Sequence, residues 1–212
     1  MRRSWIIIAA FLLAGSLFAQ QTPNPLWTQL EQSNAVFARG GTLPMNVSNR
    51  QPGGQAPQVT VLSCADSRVP PELVFNRSIG ALFVVRTAGN VASPFDIASI
   101  EYAISPPQGW TRLIVVMGHS DCGAVKAALS GGPGGSVPLD ALLDRIRESF
   151  VGIRPWSPAN LKAATEANAR YSAAYLVAHS RIIRDATTRA VNPVAIIPAY
   201  YDLGTGRVVR VD

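Results

Sequence analysis

The sequence predicts an α/β fold: a central, mostly parallel β-sheet flanked by helices, with an N-terminal helical arm that packs on a partner subunit. Two observations carry this. Short, β-branched apolar runs recur at residues 59–62, 81–85, 113–117 and 194–197, and such runs suit strands buried on both faces. Longer segments of helical period lie between them, as the crossovers of a parallel sheet require. With 212 residues, 48% of them hydrophobic, the chain can bury the core of one sizeable domain.

Taken in order, Arg2 and Arg3 precede an almost unbroken apolar run over residues 6–13, and Leu17-Phe18-Ala19 precedes Gln20. This is the layout of a signal peptide over residues 1–19, too short in its apolar part to be read as a membrane span. The mature protein is expected to be exported, periplasmic or secreted, with no stable membrane association after cleavage. Residues 20–57 read as the arm and its linker. Leu26, Trp27, Leu30, Val36 and Phe37 have helical spacing, and a Gly/Pro/Asn-rich connection ends near Pro57. Residues 58–212 form the main domain. Pro94 opens a helix carrying Phe95, Ile97, Ala98, Ile100 and Tyr102, since proline is tolerated in a first turn. The glycine-rich residues 130–136 follow a helix and lack the Lys-Ser/Thr ending of a phosphate loop, so they read as a flexible link between helices. Residues 139–150 and 159–186 are helical by period. The second is predicted to turn Leu161, Ala164, Tyr171, Tyr175, Ala178 and Ile182 toward the sheet. Residues 208–211 add an edge strand.

Nineteen basic residues against thirteen acidic ones leave a net charge of +6. No basic run with interleaved aromatics marks a nucleic-acid surface, so no nucleic-acid partner is expected.

Two motifs concentrate the chemistry. Cys64-Ala-Asp-Ser-Arg68 and His119-Ser-Asp-Cys122 contain both cysteines and one of the two histidines. Two thiolates and an imidazole make a three-ligand zinc site with its fourth position left for water or substrate. Each motif follows an apolar run, where a parallel sheet ends and open α/β folds place their sites. Asp66 is near enough to Cys64 to reach that fourth position or to accept a hydrogen bond from its water, and Arg68 can hold Asp66 in a bidentate fork. The competing reading is an exported, non-catalytic binding domain with a Cys64–Cys122 disulfide. His179, outside both motifs, reads as a helix-surface residue or a proton shuttle.

Four separated blocks resemble the β-class carbonic anhydrases: Cys64-Ala-Asp-Ser-Arg-Val-Pro-Pro-Glu72, Phe83-Val-Val-Arg-Thr-Ala-Gly-Asn90, Ser99-Ile-Glu-Tyr102 and Gly118-His-Ser-Asp-Cys-Gly-Ala124. The resemblance implies reversible hydration of carbon dioxide to bicarbonate and a proton by a zinc-bound hydroxide, with one zinc per chain. It implies a homodimer or a higher even-numbered homo-oligomer. Cys64, His119 and Cys122 match the metal ligands, and Asp66 and Arg68 match the catalytic dyad. Gln55, Phe83, Ala88, Tyr102 and Gly123 match substrate-pocket positions, with Gln55, Phe83 and Tyr102 reaching the neighbouring subunit's site. Ala88 replaces the usual valine. Val61 takes the position of a tryptophan that one branch uses to bind a regulatory bicarbonate, while Arg86 and Tyr201 match that branch's other two residues. Relatives of the family hydrolyse carbonyl sulfide or carbon disulfide on a similar zinc site, which is the alternative enzymatic expectation.

Overall fold

A computed structural model of the chain describes residues 24–42, 54–150, 152–153 and 157–211. The expected signal peptide and residues 43–53 of the linker lie outside them. Strands β1 (Val59–Ser63), β2 (Leu82–Arg86), β3 (Leu113–His119), β4 (Ala195–Tyr201) and β5 (Val208–Arg210) form one sheet, in the order β2-β1-β3-β4-β5. The first four are parallel and β5 pairs antiparallel with β4 at the expected edge. The helices are α1 (Pro25–Phe37), α2 (Pro71–Val74), α3 (Pro94–Ile104), α4 (Gly123–Ser130), α5 (Val137–Arg147), α6 (Pro158–His179) and α7 (Arg181–Thr187). Among the described residues, no helix is long and apolar enough to cross a membrane.

Alternation along the strands divides the core. Val59, Val61, Leu113, Val115, Met117 and Ile197 face the layer containing α1 and α2. Leu62, Ile114, Val116 and Ile196 face the layer of α3, α6 and α7. A strand of period two must send neighbours to opposite faces, and helices cover both.

Within its own chain the arm is anchored at its helix. Trp27 and Leu30 are buried against β-sheet residues and Val74. Asn34 is buried between them and Phe37 and spends its amide on three backbone groups: Nδ2 donates to Val74 O at 2.9 Å and Gly206 O at 2.8 Å, and Oδ1 accepts from Val208 N at 2.8 Å. These bonds tie α1 to both ends of the domain.

Two expectations within the main domain are corrected. The helix read over residues 159–186 is two helices that meet at Ser180, whose backbone is extended (φ −130°, ψ 117°). Its hydroxyl accepts from Ile183 N at 3.0 Å and donates to Glu101 Oε1 at 2.6 Å, so it caps α7 and bonds to α3. The face of α6 turned inward carries Thr165, Asn168, Ala169, Ser172, Ala173 and Leu176, whereas Ala178 and Ile182 are exposed. Of the predicted stripe only Ala164 is fully buried. Small and polar residues win this face because α6 lies close on β3: a Cβ on Gly118 would stand 2.8 Å from Thr165 Cγ2. The glycine-rich link is also pinned, by Gly134 N donating to Asp140 Oδ1 at 2.6 Å and by Arg147 Nη2 donating to Gly132 O at 2.5 Å.

Candidate metal centre

The chain leaves β1, forms β2 on one side, and returns to form β3 on the other. Between β1 and β3 the direction of winding reverses, and such a switch opens a crevice at the carboxyl ends of the strands. Cys64 is the first residue after β1 and His119 the last of β3. Cys122 follows one turn later as the N-cap of α4, a turn that Asp121 makes possible with its left-handed φ of 59°.

The ligand atoms of Cys64, His119 and Cys122 all lie within 4.8 Å of one another, and all three residues are buried. Both cysteines are free thiols, so the disulfide alternative is not the state of this structure. His119 Nδ1 lies 2.8 Å from Ser120 O, a contact that places the ring proton on Nδ1. Its Nε2 is then a lone pair, buried with no hydrogen-bond partner. The sulfurs sit among backbone donors. Gly89 N–H donates to Cys64 Sγ at 3.3 Å, and the backbone amides of Asp66 near Cys64 and of Ala124 and Val125 near Cys122 favour thiolate on each sulfur. The Cys64 thiol is pulled well below its ordinary value, chiefly by its neighbour Cys122 and against the opposing effect of burial. Cys122 is held up by its neighbour Cys64 and by burial. Two buried thiols, one of them favoured as thiolate, and an orphaned imidazole nitrogen fit a tetrahedral zinc with one open position, whose charge would draw the proton from the second thiol.

The dyad stands beside this cluster. Arg68 Nε and Nη2 donate to Asp66 Oδ1 and Oδ2 at 2.9 and 2.7 Å, and Arg68 N caps Oδ1 at 2.9 Å. These bonds hold the Asp66 carboxyl well below the usual carboxylate range. Asp66 Oδ2 is 3.8 Å from His119 Nε2, outside the three-residue ligand group but facing it. Arg68 reaches the second motif as well, donating from Nη1 to Asp121 Oδ2 at 3.2 Å, and Lys126 pairs with Asp121 in turn. Arg86 donates to Cys64 O at 3.1 Å and Asp66 O at 2.6 Å, so it holds the first motif's backbone.

The other expected positions divide. Ala88 begins a 3-10 turn, Ala88–Asn90, beside the Cys64 sulfur. Gly123 opens α4, where backbone N–H groups lack intrahelical acceptors. Phe83 and Tyr102 form a separate aromatic patch with Trp110, with ring centroids 5.8–6.4 Å apart, and Gln55 is exposed before β1. None of these three is hydrogen-bonded to the metal cluster among the described residues. Of the regulatory trio, Val61 and Tyr201 are core residues and Arg86 is committed to the two carbonyls above. His179 is stacked on Tyr175 at 3.6 Å, on the exposed part of α6.

Two supporting residues carry no role in the sequence reading. Gly89 adopts φ +66°, and Asn168 of α6 donates to its carbonyl at 2.7 Å. The glycine within Thr-Ala-Gly-Asn after a strand is a readable turn signal. Asn168 lies 79 residues away in a helix where nothing local marks it.

A family model described as carbonic anhydrase matches residues 59–208, which contain all five metal-centre and dyad residues. The chain belongs to the carbonic anhydrase family. It is 36% identical over 193 residues to a carbonic anhydrase of Mycolicibacterium smegmatis, covering 88% of this chain and 92% of that one. It is 33% identical over 197 residues to carbonic anhydrase 2 of Mycobacterium tuberculosis, covering 90% and 93%. Among solved structures, a β-carbonic anhydrase of Coccomyxa in complex with acetazolamide matches with a TM-score of 0.69 at 26% identity, over 91% of this chain and 86% of that one. A tetrameric β-carbonic anhydrase of Sordaria macrospora matches with a TM-score of 0.66 at 29% identity, over 75% and 82%.

Proposed function

We propose that this carbonic anhydrase family member hydrates carbon dioxide reversibly to bicarbonate and a proton, with one zinc held by Cys64, His119 and Cys122. The buried, unpaired His119 Nε2 between two free thiols is the observation that carries the reading. Zinc bound there supplies the Lewis acidity that makes a water nucleophilic near neutral pH, its known role in carbonic anhydrases with other ligand sets. Thiolates donate more charge than imidazoles, so alkaline conditions favour activity.

The chain's own residues do the rest. Asp66, facing the open side, accepts a hydrogen bond from the attacking water and orients it. Its carboxyl is held too far below neutrality to keep the proton, so the proton passes on to solvent or buffer. Arg68 keeps Asp66 ionised and off the metal, and Asp121 anchors Arg68 from the second motif. The Gly123 N–H, at the positive end of α4, is placed to donate to developing negative charge on the substrate.

The exposed Tyr102, its partly buried neighbours Phe83 and Trp110, and the exposed Gln55 support a homodimer in which these side chains complete the neighbouring subunit's pocket. The apolar residues 6–13 after Arg2 and Arg3 support export of the mature chain.

The test is metal analysis together with stopped-flow CO2 hydration on the purified mature protein. About one zinc per chain with hydration activity, both lost in Cys64→Ser and Cys122→Ser, is expected. A protein without zinc refutes the metal site, and zinc without CO2 hydration refutes the substrate.

A further inference from the structure

At the end of the sheet opposite the metal centre, where β1 and β2 begin, α1 and the segments leading into the two strands line a pocket of about 180 Å³ that opens to solvent. Leu26, Leu30, Val59 and Leu82 make its apolar wall, with Gln29 and Gln58 beside them. Arg77 completes the lining. Its backbone N–H is spent on Glu72 O at 2.7 Å. Among the described residues, however, its guanidinium forms no hydrogen bond or ion pair, and Nε is buried without an acceptor.

Several other arginines of the chain are engaged. Arg68 is paired with two carboxylates, Arg86 with two carbonyls, and Arg147 with Asp144 and two carbonyls. Burial pushes the Arg77 pKa down, but a guanidinium stays charged in proteins. A half-buried cation whose Nε lacks an acceptor, beside an apolar hollow, is an incomplete arrangement, and an oxyanion would complete it.

We propose that this cavity binds a small organic monocarboxylate, its carboxylate on the Arg77 guanidinium and its compact apolar body against Leu30, Val59 and Leu82. One cation and two neutral amides match a single negative charge, and the apolar wall disfavours inorganic phosphate. At the packing density of protein interiors the cavity holds about 130 Å³ of ligand, close to the bulk of a benzoate ion. Cys64 is five residues beyond Val59, roughly 15–20 Å along β1, so this site is separate from the metal centre and does not rest on the catalytic reading.

Benzoate titrated into the zinc-loaded full chain, followed by calorimetry and by the Arg77 Nε–H resonance, tests this. The expected result is saturable binding that shifts the resonance, is weakened about tenfold or more in Arg77→Met as the loss of a charge-assisted hydrogen bond predicts, and is absent for neutral benzamide. Arg77→Met should keep its zinc and its CO2 hydration. Equal benzoate affinity in wild type and Arg77→Met would place the ligand on the metal and overturn the proposal. So would no saturation by about 20 mM, weaker than any useful affinity. An Arg77 resonance already hydrogen-bonded in the ligand-free protein and indifferent to benzoate would show that a carboxylate of this chain or of a second copy fills the site, and would overturn it too.

Discussion

Gly89→Ala should cost the zinc-loaded protein about 2–5 kcal/mol and loosen its metal, and the two costs have separate origins. A residue with a side chain at φ +66° loses roughly 1–2 kcal/mol to left-handed strain. The new Cβ would also stand 2.6 Å from Ile146 Cδ1 and 3.3 Å from Ala124 Cβ. Ile146 is fully buried among Val125, Leu129, Leu143 and Phe150, so moving its Cδ1 means repacking that cluster, and relieving such an overlap costs about 1–3 kcal/mol. The shift moves the Gly89 N–H off the Cys64 sulfur, 3.3 Å away, and losing a hydrogen-bond partner of a metal ligand lowers affinity about 10–100-fold. Urea unfolding reads the first cost and competition with a chelator the second. Ile146→Val removes the offending Cδ1. In that background Gly89→Ala should cost only the backbone strain, leaving a coupling of about 1–3 kcal/mol. Equal costs in both backgrounds would refute the overlap. Unchanged zinc affinity would refute the role given to the N–H···S bond.

Arg68→Ala should let Asp66 swing onto the metal and lower turnover; zinc-edge absorption showing the wild-type ligand set from pH 6 to 9 would reduce the dyad to a positioning pair. Because Arg68 depresses the Asp66 pKa in the folded state, the stability advantage of wild type over Arg68→Ala should be full above about pH 4, the unfolded carboxyl value, and fade as pH falls below it; urea midpoints at several pH values check this. Tyr171 is pushed up to about 12 by burial and by the Glu148 carboxylate. Its stabilising effect as a neutral phenol should therefore be full below about pH 10 and lost as pH rises through the folded value. Ultraviolet titration of tyrosinate in wild type and Tyr171→Phe reads the shift, and an unshifted midpoint would contradict it. Mixing inactive Cys64→Ser with inactive Tyr102→Ala should restore part of the activity if Tyr102 serves the neighbouring subunit's site, whereas full activity from a monomer would exclude shared sites.

The strands and the Cys64–His119–Cys122 cluster were legible because their signals are local. Runs such as Leu113-Ile-Val-Val-Met117 can bury both faces only as central strands, and a cysteine or histidine directly after such a run lands at the sheet's carboxyl edge. The inward face of α6 was not legible. The sequence reading followed aromatic and aliphatic bulk to Tyr171, Tyr175 and Ile182. The gap over Gly118 instead admits only small groups, so Thr165, Ala169 and Ser172 turn in. The break at Ser180 escaped for a related reason: a serine within an alanine-rich helical pattern gives little warning until Glu101 of α3 is there to accept its hydroxyl proton.

By itself, then, the sequence determined the α/β class, the parallel strands and their edge, and the donor set of Cys64, His119 and Cys122, because side-chain period and ligand chemistry are properties of neighbouring residues. Only the tertiary structure decided how that set is held. Asn168 grips the Gly89 turn from 79 residues away, Asp121 and Asp66 share Arg68 across 53 residues, and Arg86 holds the Cys64–Asp66 backbone from the next strand. Hydrogen bonds between segments distant in the chain leave no periodic trace in it, since each partner gains its meaning only from what folding places opposite.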